Sequence, residues 1–462
     1  MQKKTFVPII LFFVVVILLF FSPFVLSWIS KTAVFLVDGR QDRIQWLNQN
    51  EEISSLPGLQ FIVPDGIDAN IIEDSFYLKP DIPGTWNWLE DDLVVWQPNQ
   101  PLPTGLVIQF GFVQTDSHQS KLKSVSWDAN VRFPEIVILQ SLESGQEIFS
   151  LSISEPESVK QLSNTQGLVI DFAVSPDGEQ IIFSQTNSKL GADLWLMDRD
   201  GNVVNMVLDC GADRCFSLDW NPIRDDILFT IEKNISTNSQ TSWDFPKPQI
   251  LNLVNGSTQP VLNDPTAVAY DPIWSSKGQW ITFWRGENRG IEIVHAFSKE
   301  TLFQDPQSDD TGCWAPNERY FYYSNVREEG IPIVSIIYQV EILSTQQNIF
   351  TGSELYALGY NYYYPECHPQ GEGLMVVVQV DPLIPQRELW WIKPDNSYTK
   401  IYSDLTKMVT QFRWSPDGSQ GVFLRDTLAG LTDGAEIVLW QADEPEKLIT
   451  FQDNVYKIEW LP

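Results

Sequence analysis

Ser175-Pro176-Asp177-Gly178 recurs letter for letter as Ser415-Pro416-Asp417-Gly418, and worn copies lie between them. Each copy follows one repeat position. These positions are Val174, Trp220, Trp274, Trp314, Cys367 and Trp414, and Trp460 opens a further copy. The steps between them are 46, 54, 40, 53, 47 and 46 residues. A blade of four antiparallel strands takes about 40–50 residues, so each step reads as one blade of a ring, a β-propeller. Counting the copies predicts seven blades; six is the alternative.

The phrase carries turn chemistry. Proline presets φ at the second turn position, aspartate bonds its own backbone, and glycine accepts the left-handed conformation. Alternating apolar residues come next, such as Ile181 and Phe183 or Ile281 and Phe283. That alternation is the mark of a half-buried strand. The aspartate drifts to Lys277, Asn317 and Gln370 in other copies. A turn tolerates that drift and a reaction centre does not, so Asp177 and Asp417 read as turn residues. The tryptophan before each turn is expected to fill the gap between blades.

The pattern Trp-Ser-Pro-Asp-Gly-x-x-Ile-x-Phe resembles the repeat of the TolB family of periplasmic propellers. It is also similar to the propellers of the prolyl-oligopeptidase and dipeptidyl-peptidase families. The stretch Val455-Tyr-Lys-Ile-Glu-Trp-Leu-Pro462 looks like the TolB C-terminus. The resemblance covers about 135–462 and implies that the last blade is completed by strands from the start of the propeller. Glu135-Ile-Val-Ile-Leu139 and Gln146-Glu-Ile-Phe-Ser-Leu151, flanking Ser144-Gly145, could supply them. Closure of this kind removes open sheet edges. The resemblance further implies protein partners in the cell envelope. The TolB propeller itself has six blades, which keeps the alternative open.

Upstream, Lys3 and Lys4 precede an uncharged apolar run from Phe6 to Ile29. Such a run is long enough to cross a bilayer, and the lysines place the remainder of the chain outside. Residues 1–30 therefore read as a transmembrane signal-anchor, with a cleaved signal peptide as the competing reading. The expected location is the cell membrane, with a single pass and the bulk of the chain extracytoplasmic. Residues 31–49 read as a juxtamembrane spacer. Residues 50–134 lack the turn phrase. They carry short strands between Pro/Gly turns, such as Leu93-Val-Val-Trp-Gln-Pro98 and Leu106-Val-Ile-Gln-Phe110. This predicts a small β-sandwich, similar in order to bacterial Ig-like domains. The whole reads as an all-β chain behind its anchor.

The 462 residues include 60 acidic and 30 basic ones, a formal net charge of −30. That excludes a nucleic-acid surface, which needs a basic stripe. Of four cysteines, Cys210 and Cys215 bracket a short loop. Outside the cell this spacing predicts a local disulfide, with a zinc pair as the weaker alternative. Cys313 and Cys367 fall one position out of phase in their repeats and so are not expected to pair.

The chain holds three histidines, His118, His295 and His368, and no Gly-x-Ser-x-Gly elbow, P-loop or His-Glu-x-x-His. No cofactor and no metal is expected. Asp171, Asp219 and Asp271 form the best trio for carboxylate chemistry across the channel, against a reading as polar channel lining. The run Tyr360-Asn-Tyr362-Tyr363-Tyr364, with His368 beyond it, is the candidate binding surface. Its alternative is packing between blades. Three functions are compatible with these features. The first is a non-catalytic, membrane-anchored interaction propeller. The second is a surface protein that binds or cleaves glycans, with tyrosines stacking on sugar rings. The third is an accessory sensor of a larger envelope complex.

Overall fold

The computed structural model describes residues 44–462, except 48–50, 65–66, 89–91, 114–122, 156–157, 203, 238–241, 287–289, 306–309, 327–333, 352–354, 356–357, 428–434, 445–447 and 451–453. The expected anchor over residues 1–30, most of the spacer and His118 lie outside the described residues. Among the described residues, no helix is long and apolar enough to cross a membrane.

Residues 44–131 build two four-stranded sheets. One has the order β1 (Gln45–Trp46), β3 (Leu59–Ile62), β6 (Leu93–Pro98), β5 (Gly84–Trp88). The other has the order β2 (Glu52–Ile53), β8 (Val125–Val131), β7 (Val107–Phe112), β4 (Phe76–Lys79). Alternation along β7 buries Ile108, Phe110 and Phe112. Phe110 meets Trp46 edge-on at 4.9 Å, and Phe112 meets Phe61 at 5.1 Å, so the two sheets share one aromatic core. Each such ring contributes about 1.5–3 kcal/mol by leaving water. Because Trp46 pairs with Phe61, the sandwich begins ahead of the boundary expected at residue 50. A short helix, Ala69–Ser75, interrupts the strands; Asp68 caps it by accepting from Asn70 N at 2.9 Å.

From residue 135 onward the described residues form seven antiparallel four-stranded sheets, two of them joined by a parallel bridge between Ala192 and Arg214. Their inner strands are Val169–Val174, Arg214–Trp220, Ala269–Trp274, Cys313–Trp314, Asn361–Cys367, Lys407–Trp414 and Val455–Leu461. Six sheets are continuous in sequence. In the seventh, Val455–Leu461 pairs with Glu135–Leu142, and Gly145–Ser152 and Val159–Gln161 complete the sheet. These are the strands that the sequence offered for closure.

The turn phrase folds as its chemistry requires. Asp177 Oδ1 accepts from Ser175 Oγ at 2.7 Å and from Glu179 N at 3.1 Å, and Gly178 has φ +67°. Ser415, Asp417 and Gly418 repeat this at 2.6 Å, with φ +73°. These glycines have a second task. A Cβ on Gly418 would stand 2.5 Å from the His368 ring, and one on Gly278 2.5 Å from the Asn221 amide. The residue after one repeat position thus packs under the turn glycine of the next sheet.

The repeat tryptophans face the preceding sheet, as expected. Trp314 Nε1 donates to Thr282 Oγ1 at 3.0 Å, Trp414 Nε1 to Glu366 O at 3.2 Å, and Trp460 Nε1 to Arg413 O at 3.2 Å. Cys210 and Cys215 form the expected disulfide. Cys313 and Cys367 are also bonded, which corrects the sequence reading. Opposite phase on strands does mean opposite faces. Successive sheets of a ring, however, meet through opposite faces. Trp314 packs with Ile291 and Ile293 of the sheet before, while Cys313 packs with Tyr362 and Leu374 of the sheet after.

Candidate functional site: channel and rims

Antiparallel order gives the ring two rims. The Ser-Pro-Asp-Gly turns and the second hairpin turns share one rim; the remaining connections share the other. The sandwich joins at the turn rim. There Arg132 pairs with Glu179 and donates from Nε to Pro462 O at 3.4 Å. Arg199 Nη1 donates to Gly178 O at 3.2 Å and to Pro462 O at 3.3 Å.

Inside the ring, the inner strands carry a register shift in six of the seven sheets. Ser217, Asp271 and Tyr364 have φ of +56°, +46° and +49° at such shifts. A bulge unpairs backbone donors and re-aims side chains. Carboxylates from the neighbouring sheet take up inner-strand donors, Leu218 N within such a shift and Trp274 N and Val174 N outside one. Asp171 Oδ2 accepts from Leu218 N at 2.7 Å, Asp219 Oδ2 from Trp274 N at 2.6 Å, and Glu459 Oε2 from Val174 N at 2.9 Å. Asp271 Oδ1 accepts from Ser217 Oγ at 3.0 Å. All three aspartates of the sequence trio are therefore brought to the channel and engaged across sheet boundaries. Burial pushes the Asp219 carboxyl up to about 7, against the opposing pull of the Trp274 N–H. Lys457 Nζ sits between Asp171 at 2.7 Å and Glu459 at 3.2 Å. Among the described residues, no group of three His, Cys, Asp or Glu side chains could hold a metal ion.

The tyrosine run divides at a bulge: the register shifts between Tyr363 and Glu366, and Tyr364 has positive φ. Tyr362 is fully buried and Tyr360 packs edge-on against Trp390 at 5.8 Å. Tyr363 is partly buried, and Tyr364 is 44% exposed. His368 lies at the other rim, buried between Trp391 and Trp414, with ring centroids at 5.7 and 4.5 Å. Its Nδ1 accepts from Gln370 N at 3.2 Å and its Nε2 lies 3.3 Å from Gly418 O. Burial lowers its pKa, and the imidazole serves as a turn brace. The expected surface of five residues is thus not one surface. His295 is also structural, since its Nδ1 accepts from Phe297 N and Ser298 N at 3.2 and 3.1 Å.

What gathers around Tyr364 was not legible in the sequence. The Arg387 guanidinium lies over the Tyr363 ring at 5.4 Å and the Tyr364 ring at 5.8 Å. Tyr363 OH reaches Gln379 Oε1 at 3.4 Å, and Gln379 Nε2 donates to Ile384 O at 2.9 Å. Asp310 Oδ2 accepts from Tyr364 N at 3.0 Å and holds its strained backbone. Leu383 is 91% and Leu405 77% exposed on neighbouring connections of this rim. Tyr and Arg are the residue types enriched in interaction hot spots, and exposed large apolar side chains share their rim.

No protein-family model matches the chain, and no curated protein matches it. Solved structures do. A puromycin-hydrolysing peptidase from Mycobacterium tuberculosis is 12% identical, with TM-score 0.50, covering 89% of this chain and 57% of its own. TolB from Acinetobacter baumannii is 11% identical, with TM-score 0.42, covering 91% of this chain and 99% of its own. An oligogalacturonate lyase in complex with manganese is 12% identical, with TM-score 0.49, covering 70% and 85%. The likeness is one of fold: a β-propeller, an architecture that hosts enzymes and interaction proteins alike.

Proposed function

We propose that this chain is a non-catalytic, membrane-anchored interaction protein whose propeller docks a partner protein in the cell envelope. In this reading residues 1–30 anchor it, the seven sheets are seven blades, and the sandwich is an Ig-like stalk. The strand orders 1-3-6-5 and 2-8-7-4 support the last point, since they resemble the ABED and CFG sheets of that fold. The pair Tyr364 and Arg387, with exposed Leu383 and Leu405 on connections of the same rim, carries the docking claim. It lies on the rim opposite the sandwich junction, where an anchored stalk would present it outward. The carboxylates of the channel are occupied in joining blades, which favours a scaffold over a reaction centre. The glycan-binding alternative loses the row of stacking tyrosines, because Tyr362 is buried and Tyr360 is packed.

Cross-linking in membranes of the source organism, then affinity capture and mass spectrometry, tests the reading. A stoichiometric partner cross-linked near residues 381–407 supports it. A clean preparation with no partner contradicts it and moves the search to glycan arrays.

A further inference from the structure

A groove of about 400 Å³ opens on the turn rim between the fourth and fifth sheets. That volume falls within the range of small-molecule sites. It is separate from the tyrosine run and from the channel. None of its fifteen lining residues is Asp, Glu, Lys or Arg, although 19% charged residues overall would place about three there. On a chain of net charge −30, this is a neutral site in a strongly acidic molecule.

Its walls combine rings and amides: Tyr320, Tyr322 and Phe350 with Asn317, Gln339 and Asn396. Tyr322 and Phe350 stand edge-to-face at 5.1 Å. Gln339 Nε2 donates to Tyr322 OH at 2.9 Å. This leaves the tyrosine O–H free to donate and Gln339 Oε1 free to accept, side by side. Asn396 Oδ1 has no donor in the protein. Rings offer flat apolar faces, and the adjacent donor and acceptor match a hydroxyl, which also does both. A polyproline segment, which has no backbone N–H, would leave Gln339 Oε1 unpaired. Arg319 lies over one face of the Tyr320 ring at 5.1 Å, but its charge is met by Glu341 at 2.7 Å, so a charged ligand would have to compete for it.

We infer that this groove binds a short neutral oligosaccharide, with Tyr320 as a stacking face and Gln339 and Tyr322 as the hydroxyl-reading pair.

The test is calorimetric titration of the full chain in detergent with cellotriose, tri-N-acetylchitotriose, trigalacturonate and a ten-residue proline-rich peptide. Saturable binding of a neutral trisaccharide is expected, with trigalacturonate weaker by about tenfold. Tyr320→Ala is expected to weaken binding about fivefold, while Tyr320→Trp retains it. Gln339→Ala tests the polar pair independently should Tyr320→Ala fail to fold, which the melting temperature reports. Absence of saccharide binding, preference for the peptide, or affinity indifferent to these substitutions would overturn the assignment.

Discussion

Lys457 Nζ stands 2.7 Å from Asp171 Oδ1 and 2.6 Å from Phe172 O, a bond between the last and first inner strands of the ring. Glu459 Oε1 lies 3.2 Å from the same ammonium, so all three of its donors are used. The ring is closed by this triad as well as by the pairing of Val455–Leu461 with Glu135–Leu142. Lys457→Met removes the cation and leaves two shielded carboxylates facing each other. The expected cost is about 3–5 kcal/mol, read from urea unfolding. A cost near that of an exposed ion pair, below about 1 kcal/mol, would show that strand pairing closes the ring unaided.

Asp219 provides a pH test. Its folded pKa, about 7, lies above the ordinary carboxylate value. A raised pKa means that the folded state holds the proton more tightly than the unfolded chain. The contribution to stability is therefore greatest at low pH and is lost as pH rises from about 4 through 7. Asp219→Asn keeps an acceptor for Trp274 N without the charge. It is expected to raise the melting temperature at pH 8 by about 2–4 °C and to lose that advantage by pH 5. Equal effects at both pH values would contradict the assignment.

The two glycines Gly418 and Gly256 separate backbone strain from packing. Both have positive φ, +73° and +71°. A Cβ on Gly256 meets nothing within 4 Å, whereas one on Gly418 strikes the His368 ring. Gly256→Ala should cost about 1 kcal/mol and Gly418→Ala at least about 2 kcal/mol more, by thermal or urea unfolding. Asn221 brackets Gly278 as His368 brackets Gly418, so His368→Asn should be milder than His368→Ala.

The two disulfides close loops of unlike length, with sequence separations of 54 and 5. On the chain-entropy account, replacing Cys313 and Cys367 by alanine costs about 4 kcal/mol, and replacing Cys210 and Cys215 about 2 kcal/mol. Unfolding of the two double variants by urea gives the ranking directly.

Much of this fold was legible because turn chemistry and alternation are local. Gly178 and Gly418 announce their turns, and Glu135–Leu139 announces the closing strands. What escaped depends on neighbours distant in sequence. Cys313 and Cys367 pair because successive sheets present opposite faces, a relation no single strand contains. The tyrosine run splits between Tyr362 and Tyr364, which plain alternation would leave on one face, because the register shift after Tyr363 and the positive φ of Tyr364 turn the second away from the core. Arg387 belongs to no motif; only its place over Tyr363 and Tyr364 gives it meaning. The aspartates Asp171, Asp219 and Asp271 were legible as channel residues, but their partners on the next strand were not.

Docking through the Tyr364 rim is the central claim, and a photo-reactive residue placed on each rim tests it most directly. Leu383 is 91% exposed on the connection that carries Arg387, and Leu343 is 93% exposed on the turn rim. With the full chain expressed in its native membrane and irradiated, the account predicts a discrete protein adduct from position 383 and none from position 343. An adduct from position 343 alone, the same adduct from both, or none from position 383 would contradict it.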